Sequence, residues 1–344
     1  MAKDKFIWAN LMHLGVDMWI DHPYGKPFDP HSTLQLAGPS DELQCDEGEW
    51  RAITDRMAAV GMNMLVIDLA EGLQYPSHPE LAVRGSWTPD KMRDEIARLG
   101  KLGIEVVPKV NFSAGHDSWF KEYGRMLSTP GYYRFCSDII ADVAEIFKGS
   151  RFFHIGMDEE AAINQANYDF CVERQGDLWW HDLFFIVNEV EKHGLRPWMW
   201  SDYAWNNPDE FYNRCPKSVL QSNWYYSAFF DMERLRRERD AEVKARRVVQ
   251  MHEIDQVECY LKLDKAGFDQ IPCAGNWRED CNFSETVRFC QANLSPERLK
   301  GYLLAPWRRI LPAFHEANMH GVELAGAAIR AAGQGGTPIR KREE

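Results

Sequence analysis

Short apolar runs alternate with longer amphipathic stretches along most of the chain. The short runs are apolar at nearly every position, which is typical of parallel strands that are buried on both faces. The longer stretches have the period of a helix, and several of them stop at a glycine. The predicted strands are 6–14, 63–70, 104–111, 151–156, 195–200, 219–224, 268–274 and 302–307. The predicted helices are 49–60, 89–102, 131–147, 178–193, 208–214, a charged segment within 231–266, 284–292 and 308–332.

This succession of strand–helix units predicts an α/β fold. Units of this number and length fit a closed (β/α)8 TIM barrel better than an open sheet, and we expect a single domain over residues 1–333. The last segment, 334–344, is rich in glycine and then in charge, and we expect it to be a disordered tail.

Composition narrows the possible partners. The 344 residues include 40 basic and 52 acidic side chains, which give a net charge of −12. This balance, without a run of Lys and Arg, argues against nucleic-acid and anionic-membrane partners, and no apolar run is long enough to cross a bilayer. No glycine-rich phosphate loop follows the first strand, so no cofactor is predicted. The start of the chain does not resemble a signal peptide and the cysteines form no Cys-x-x-Cys motif, so we expect a cytoplasmic protein with reduced thiols. The oligomeric state stays open.

Polar and aromatic residues collect where the predicted strands end. In a barrel of this type, catalytic groups project from the carboxyl ends of the strands and from the loops that follow. In strand order, the candidates are Asp17 and Trp19; Asp68 and Glu71; Lys109, Asn111 and His116; His154, Asp158 and Glu159; Trp200 and Asp202; Trp224 and Tyr225; Trp277; Trp307 and Arg308.

Four successive strands are followed by, or end in, tryptophan: Trp200, Trp224, Trp277 and Trp307. Each of them alone is more typical of packing than of a binding site. Together with carboxylates they predict a carbohydrate-binding pocket, since aromatic faces stack on sugar rings while carboxylates and amides bind the hydroxyls.

The adjacent Asp158 and Glu159 can divide the work of bond cleavage. One carboxylate can stay ionised and stabilise a developing cation, while the other, kept protonated, donates a proton to a leaving oxygen. The alternative is a solvated acidic turn that caps the next helix, with His154 as an ordinary core histidine. No histidines or cysteines occur at zinc spacing, so no metal site is predicted.

The segment 154–159, His-Ile-Gly-Met-Asp-Glu, resembles the His-x-Gly-x-Asp-Glu signature of family 20 glycoside hydrolases, the β-N-acetylhexosaminidases. The similarity extends upstream in order. Residues 61–65 and 75–81 resemble the second strand of that family and its following YPEL stretch, residues 88–108 resemble its second helix and third strand, and residues 111–116 resemble its Asp-x-Pro-Gly-His turn. The resemblance covers residues 60–160 and is compatible with the later tryptophans.

The resemblance implies a retaining mechanism that the substrate assists, an exception to the usual scheme of two enzyme carboxylates. Asp158 would orient the 2-acetamido group of the sugar, and Glu159 would be the general acid and then the general base. His116 and His154 would support this pair. Three aromatic walls would surround the acetamido group and the ring: Trp200, Trp224 and Trp307.

The chain also departs from the family pattern. The usual arginine of strand one has no clear match, Lys109 and Asn111 replace two acidic residues of strand three, and Trp307-Arg308-Arg309 replaces the final Trp-x-Glu motif. Lys109 and Arg308 therefore predict a substrate with a negative group, unless each of them pairs with a nearby carboxylate such as Asp68 or Asp158. Two other functions stay open: a sugar-binding barrel without turnover, and a glycosidase of different specificity that uses Asp17, Asp68 or Glu71.

Overall fold

Parallel strands close into a barrel in the computed structural model, which describes residues 5–16, 40–165, 171–245 and 252–333. The strands are β1 Ile7–His13, β2 Met64–Asp68, β3 Glu105–Lys109, β4 Phe152–His154, β5 Arg196–Trp200, β6 Leu220–Ser222, β7 Cys273–Ala274 and β8 Gly301–Leu304. Their spatial order is β6-β5-β4-β3-β2-β1-β8-β7. Parallel bridges Gln221–Gln270 and Trp224–Cys273 join β6 to the β7 side. The predicted (β/α)8 barrel is confirmed.

Helices cover the outside of the barrel. Their bounds are α1 Glu47–Val60, α2 Pro89–Lys101, α3 Pro130–Ile146, α4 Asp177–Lys192, α5 Tyr203–Asn206, α6 Pro208–Arg214, α7 Met232–Lys244, α8 Glu253–Lys265, α9 Asn282–Asn293 and α10 His315–Gly333. Thr88 and Thr129 cap α2 and α3 with their side chains, and a proline follows each of them at the first helical position. None of the helices described here is long and apolar enough to cross a membrane.

Two predicted helices differ from the structure. The charged segment, where the pattern predicts a long helix from residue 231 and possible further helix up to 266, contains the two separate helices α7 and α8 among its described residues. The last helix begins at His315 and not at residue 308, because Ile310 bridges to Cys45 and a short 3₁₀ turn, Pro312–Phe314, comes first. The predictions for Asp17, Trp19 and the tail 334–344 lie outside the described residues.

The barrel strands are buried on both faces, as their composition predicts. In β1, Ile7, Ala9 and Leu11 belong to the apolar cluster inside the barrel, while Trp8 and Met12 belong to the larger cluster under the helices. Successive side chains of a strand point to opposite faces. Every second residue of a strand therefore points into the barrel. The last of these inward residues, at the carboxyl ends of the strands, are polar or aromatic.

Candidate active site

The inner faces of β1 to β5 end in a ring of side chains at the barrel mouth: His13, Asp68, Lys109, His154 and Trp200. The first four occupy paired register positions on neighbouring strands. Lys109 Nζ donates to Asp68 Oδ2 at 2.5 Å, with both side chains at most 2% exposed, and His13 Nδ1 lies 3.5 Å from the same oxygen. Of the two alternatives for Lys109, the structure therefore shows the ion pair with Asp68, so its charge is already neutralised.

Burial determines the protonation states of His13 and His154, the two histidines at the barrel mouth named above. It lowers the pKa of His13, against the opposing influence of Asp68. It also lowers the pKa of His154 well below the ordinary value, and nearby Lys109 lowers it further. Both rings are therefore neutral at neutral pH. His154 Nδ1 accepts a hydrogen bond from the Gly156 amide at 3.2 Å, which leaves the proton on Nε2.

Asp158 follows β4 and is held as a buried anion. Asn111 Nδ2 donates to its Oδ1 at 2.7 Å, and His116 Nε2 lies 3.4 Å from its Oδ2. Burial by itself would raise the pKa of Asp158, but His116, Lys109 and the Asn111 hydrogen bond outweigh it and lower the pKa to about 2. This carboxylate is therefore ionised and fixed in orientation.

Glu159 is adjacent in sequence but sits in a different environment. Its side chain is 48% exposed, and its Oε2 lies 3.3 Å from His116 Nε2. His116 is thus placed between the two carboxylates. Although burial opposes its charge, Asp158 and Glu159 raise the pKa of His116 to about 10, so it is an imidazolium at neutral pH.

The backbone of this segment turns sharply to place the two carboxyl groups. Gly156, Met157 and Glu159 have φ of 69°, 70° and 54°, in the left-handed region that side chains rarely adopt. A Cβ on Gly156 would overlap Asn111 Oδ1, which also accepts from the Met157 amide at 3.1 Å. The glycine of the signature is therefore required by this turn.

The tryptophans gather on the other side of the barrel mouth. The Trp200 ring lies 4.6 Å from His154, 5.5 Å from Trp224 and 6.0 Å from Trp307, between centroids. Trp307 Nε1 donates to Tyr226 Oη at 2.7 Å, and the Tyr226 ring meets the edge of Trp277. The structure therefore brings the four predicted tryptophans into one cluster, and Tyr226 is a member that sequence reasoning missed.

Three predicted residues have their polar groups engaged elsewhere. Tyr225 Oη donates to Glu253 Oε2 at 2.8 Å, toward α8, while its neighbour Tyr226 takes the place in the cluster. Glu71 is buried, and its Oε1 accepts from the Val16 amide at 2.7 Å. Arg308 is half-buried and donates to the carbonyls of residues 306 and 307, and burial lowers its pKa.

A buried ion network behind the turn was also missed. Arg174, in the loop before α4, contacts Glu160 Oε2 at 2.5 Å and Asp182 Oδ2 at 3.2 Å, and donates to the Phe112 carbonyl at 2.7 Å. It therefore ties the loop after β4 to the loop after β3 and to α4. Glu160 follows the signature directly, but no sequence pattern connects it with an arginine in an irregular loop.

His116, Asp158 and Glu159 also meet the distance requirement for a metal site, since one potential ligand atom of each lies within 4.8 Å of the others. A metal ligand must be an unprotonated imidazole. A cation would therefore have to displace the proton that His116 shares between the two carboxylates, and the arrangement fits an ion-paired triad better.

The fold of this protein is similar to the folds of known enzymes, although its sequence is not. No protein-family model matches the sequence, and no curated protein matches it. The structure is similar to the chitobiase of Flavobacterium johnsoniae, with 16% identity and a TM-score of 0.55 over 98% of this chain and 53% of that one. It is also similar to a family 20 exo-β-N-acetylglucosaminidase of Vibrio harveyi solved with N-acetylglucosamine, with 14% identity and a TM-score of 0.55 over 96% of this chain and 58% of that one. A third similar structure is the N-acetyl-β-hexosaminidase of Streptomyces plicatus, with 13% identity and a TM-score of 0.56 over 94% of this chain and 64% of that one.

The chain thus spans between half and two thirds of the length of these enzymes. At such identities the similarity shows a shared fold. The barrel has the fold of these family 20 enzymes and a divergent sequence, so the resemblance seen in the signature and its flanks is confirmed at the level of the fold.

Proposed function

We propose that this protein is a glycoside hydrolase that cleaves 2-acetamido glycosides with retention of configuration. The observation that carries the proposal is the division between the two adjacent carboxyl groups after β4. Asp158 is buried, ionised and held by two partners, whereas Glu159 is half-exposed at the barrel mouth. Two carboxyl groups in contrasting environments are the usual basis for different roles in one reaction.

In the first step, the acetamido oxygen of the substrate attacks the anomeric carbon, and the leaving oxygen departs with a proton from Glu159. The cyclised intermediate carries a positive charge on the acetamido group. Asp158 supplies a fixed negative charge for it, and preorganised charge of this kind is a large contribution to catalysis. Water then attacks the anomeric carbon and breaks its bond to the acetamido oxygen, while Glu159 takes a proton from the water; this releases the sugar and restores the protonated Glu159.

The tryptophan cluster supplies the walls of the pocket. Trp224 and Trp307 are partly exposed and meet the buried Trp200, and we propose that their exposed parts contact the sugar ring and the acetamido methyl group. Because Lys109 is already paired with Asp68, its charge does not favour an anionic substrate. Lys109 thus gives no reason to expect a uronic acid or a sulfated sugar, and we propose a neutral amino sugar as the substrate.

The alternative carboxylates are less suited to catalysis. Asp68 is engaged with Lys109 and His13, and Glu71 accepts from the Val16 amide, so neither presents a free carboxylate to the mouth. A non-catalytic sugar-binding barrel is the other candidate, because Trp307-Arg308-Arg309 stands where the resembled family has Trp-x-Glu. Sugar binding without turnover would support that function.

The test compares aryl glycosides with and without the 2-acetamido group, and with good and poor leaving groups. Glu159→Gln should slow cleavage of a poor leaving group by roughly 10²–10⁴-fold, and cleavage of an acidic phenol by much less. Asp158→Asn should slow both kinds of substrate. Glu145→Gln, at an exposed site on α3, is the matched control. If Glu159→Gln keeps the wild-type rate on a poor leaving group, the assignment of the acid is wrong.

A further inference from the structure

A third carboxyl group, that of Asp202, contacts the catalytic turn from the opposite side. Asp202 follows β5 and precedes α5, and its Oδ2 accepts from the Glu159 amide at 2.7 Å. The amide belongs to a residue with φ of 54°, a strained backbone conformation that persists only when the surroundings hold it. The Glu159 carbonyl is held as well, since it accepts from Asn164 Nδ2 at 2.7 Å and from the Ala161 amide at 2.8 Å.

Asp202 also has an oxygen with nothing to bind. Its Oδ1 is enclosed and has no hydrogen-bond partner among the described residues, although the residue as a whole is partly exposed. An ionised oxygen left in that position would carry a large desolvation cost. A protonated oxygen is uncharged and has a smaller desolvation cost.

The charges around Asp202 favour the protonated form. The groups that face it are Asp158 and Glu159, from the loop after β4, and the thiol of Cys259 on α8. Burial, and after it the charges of Asp158 and Glu159, raise the pKa of Asp202 well above its ordinary value, while the amide hydrogen bonds oppose this. Burial also raises the pKa of Cys259 to about 12, so the thiol stays neutral. The imidazolium of His116 contacts the other two carboxylates.

We infer that Asp202 is a positioning residue that, as a neutral acid, holds the backbone of Glu159 in the orientation from which its side chain delivers a proton. This role differs from the sugar-binding role that the sequence suggested for it. The inference rests on the proposed function, because it assigns Asp202 to the acid of that reaction.

The test uses three variants of the full chain on 2-acetamido aryl glycosides with good and poor leaving groups. Asp202→Asn keeps a neutral group with an oxygen acceptor, so it should restore most of the kcat that Asp202→Ala loses, without a new ionisation in its pH profile. Asp202→Ala removes the acceptor, and kcat for a poor leaving group should fall by about 10–100-fold, with KM little changed, because misplacement by about 1 Å can cost about 10²-fold. The acidic phenol should lose much less. Asp209→Ala, at an exposed site on α6, is the control.

A second measurement reads the protonation of Asp202 directly. In protein labelled with ¹³C at the aspartate carboxyl carbon, the signal that disappears in Asp202→Asn should have the shift of a protonated acid at neutral pH. An ionised signal, or a large loss of kcat in Asp202→Asn, would overturn the neutral form. Equal slowing of both substrates by Asp202→Ala, or no slowing, would overturn the positioning role alone. A wild type that cleaves no glycoside would overturn the proposed function, and the inference with it.

Discussion

Removing the imidazole of His116 tests the electrostatics of the candidate site most directly. The ring lies within 3.4 Å of Asp158 and of Glu159, and is itself buried. Its imidazolium form neutralises a carboxylate that is also buried. In His116→Asn, Asp158 would lose this counter-charge, and breaking a buried ion pair by removing one partner costs about 3–5 kcal/mol.

The pKa of His116 gives the size and the pH window of the effect. Asp158 and Glu159 overcome the burial penalty and raise it from 6.5 to about 10. At 1.36 kcal/mol per pKa unit, this rise is worth about 5 kcal/mol of stability. Because the pKa is higher in the folded state, the stabilisation is complete below pH 6.5 and is lost as the pH rises through about 10. The pKa of Asp158 is lowered largely by the same ion pair with His116, so its shift contributes no separate stabilisation to this sum.

The assay is urea unfolding, followed by tryptophan fluorescence, at about pH 6, 8 and 10. His116→Asn should be less stable than the wild type by about 3–5 kcal/mol at the lowest of these values, and the difference should shrink as the pH rises. His193→Asn, at an exposed position after α4, should show no such trend. A difference that stays the same at all three pH values would refute the imidazolium, because loss of packing alone does not depend on pH.

Three further outcomes follow from contacts in the site. Lys109→Met should lower the free energy of unfolding by about 3–5 kcal/mol, and adding Asp68→Asn should recover part of the loss; additive losses would contradict the pair. Gly156→Ala should reduce turnover more than Gly149→Ala does, because a Cβ on Gly156 would overlap Asn111. Gly149, at φ 101° in open space, is the control for backbone strain alone, and equal effects of the two variants would contradict the overlap. Prolonged treatment with EDTA should leave the rate unchanged, whereas a loss that added metal restores would show that the triad binds a cation.

Alternation along the strands predicted much of this arrangement. Residues two apart share a face, so a strand with Val66 and Asp68, or with Val107 and Lys109, sends its polar end to the same mouth of the barrel. His13 obeys the same rule after Leu11 but was missed, because the candidates of strand one were sought in the loop beyond it. The signal was present in the sequence.

Other features depend on contacts that no periodicity carries. The alternation stops when β6 ends at Ser222, so the sequence could not decide between Tyr225 and Tyr226 as the residue that joins the tryptophans. Arg174 and Glu160 lie in the same irregular loop between β4 and α4, and no periodicity predicts that they pair. The sequence suggested both alternatives for Lys109, and only the register of β2 against β3 selects Asp68.

The charges of the site favour the proposed chemistry as a set. Lys109 and Asp68 neutralise each other, and so do His116 and Asp158, while Asp202 is held neutral by its surroundings. These neutralised groups suit a neutral sugar, because its binding buries no unbalanced charge of theirs. When Glu159 gives up its proton, its new negative charge appears as the substrate becomes positive. The positive charge thus develops on the substrate next to Asp158, which is already in place to stabilise it. An interaction that is stronger in the transition state than in the bound substrate accelerates the reaction.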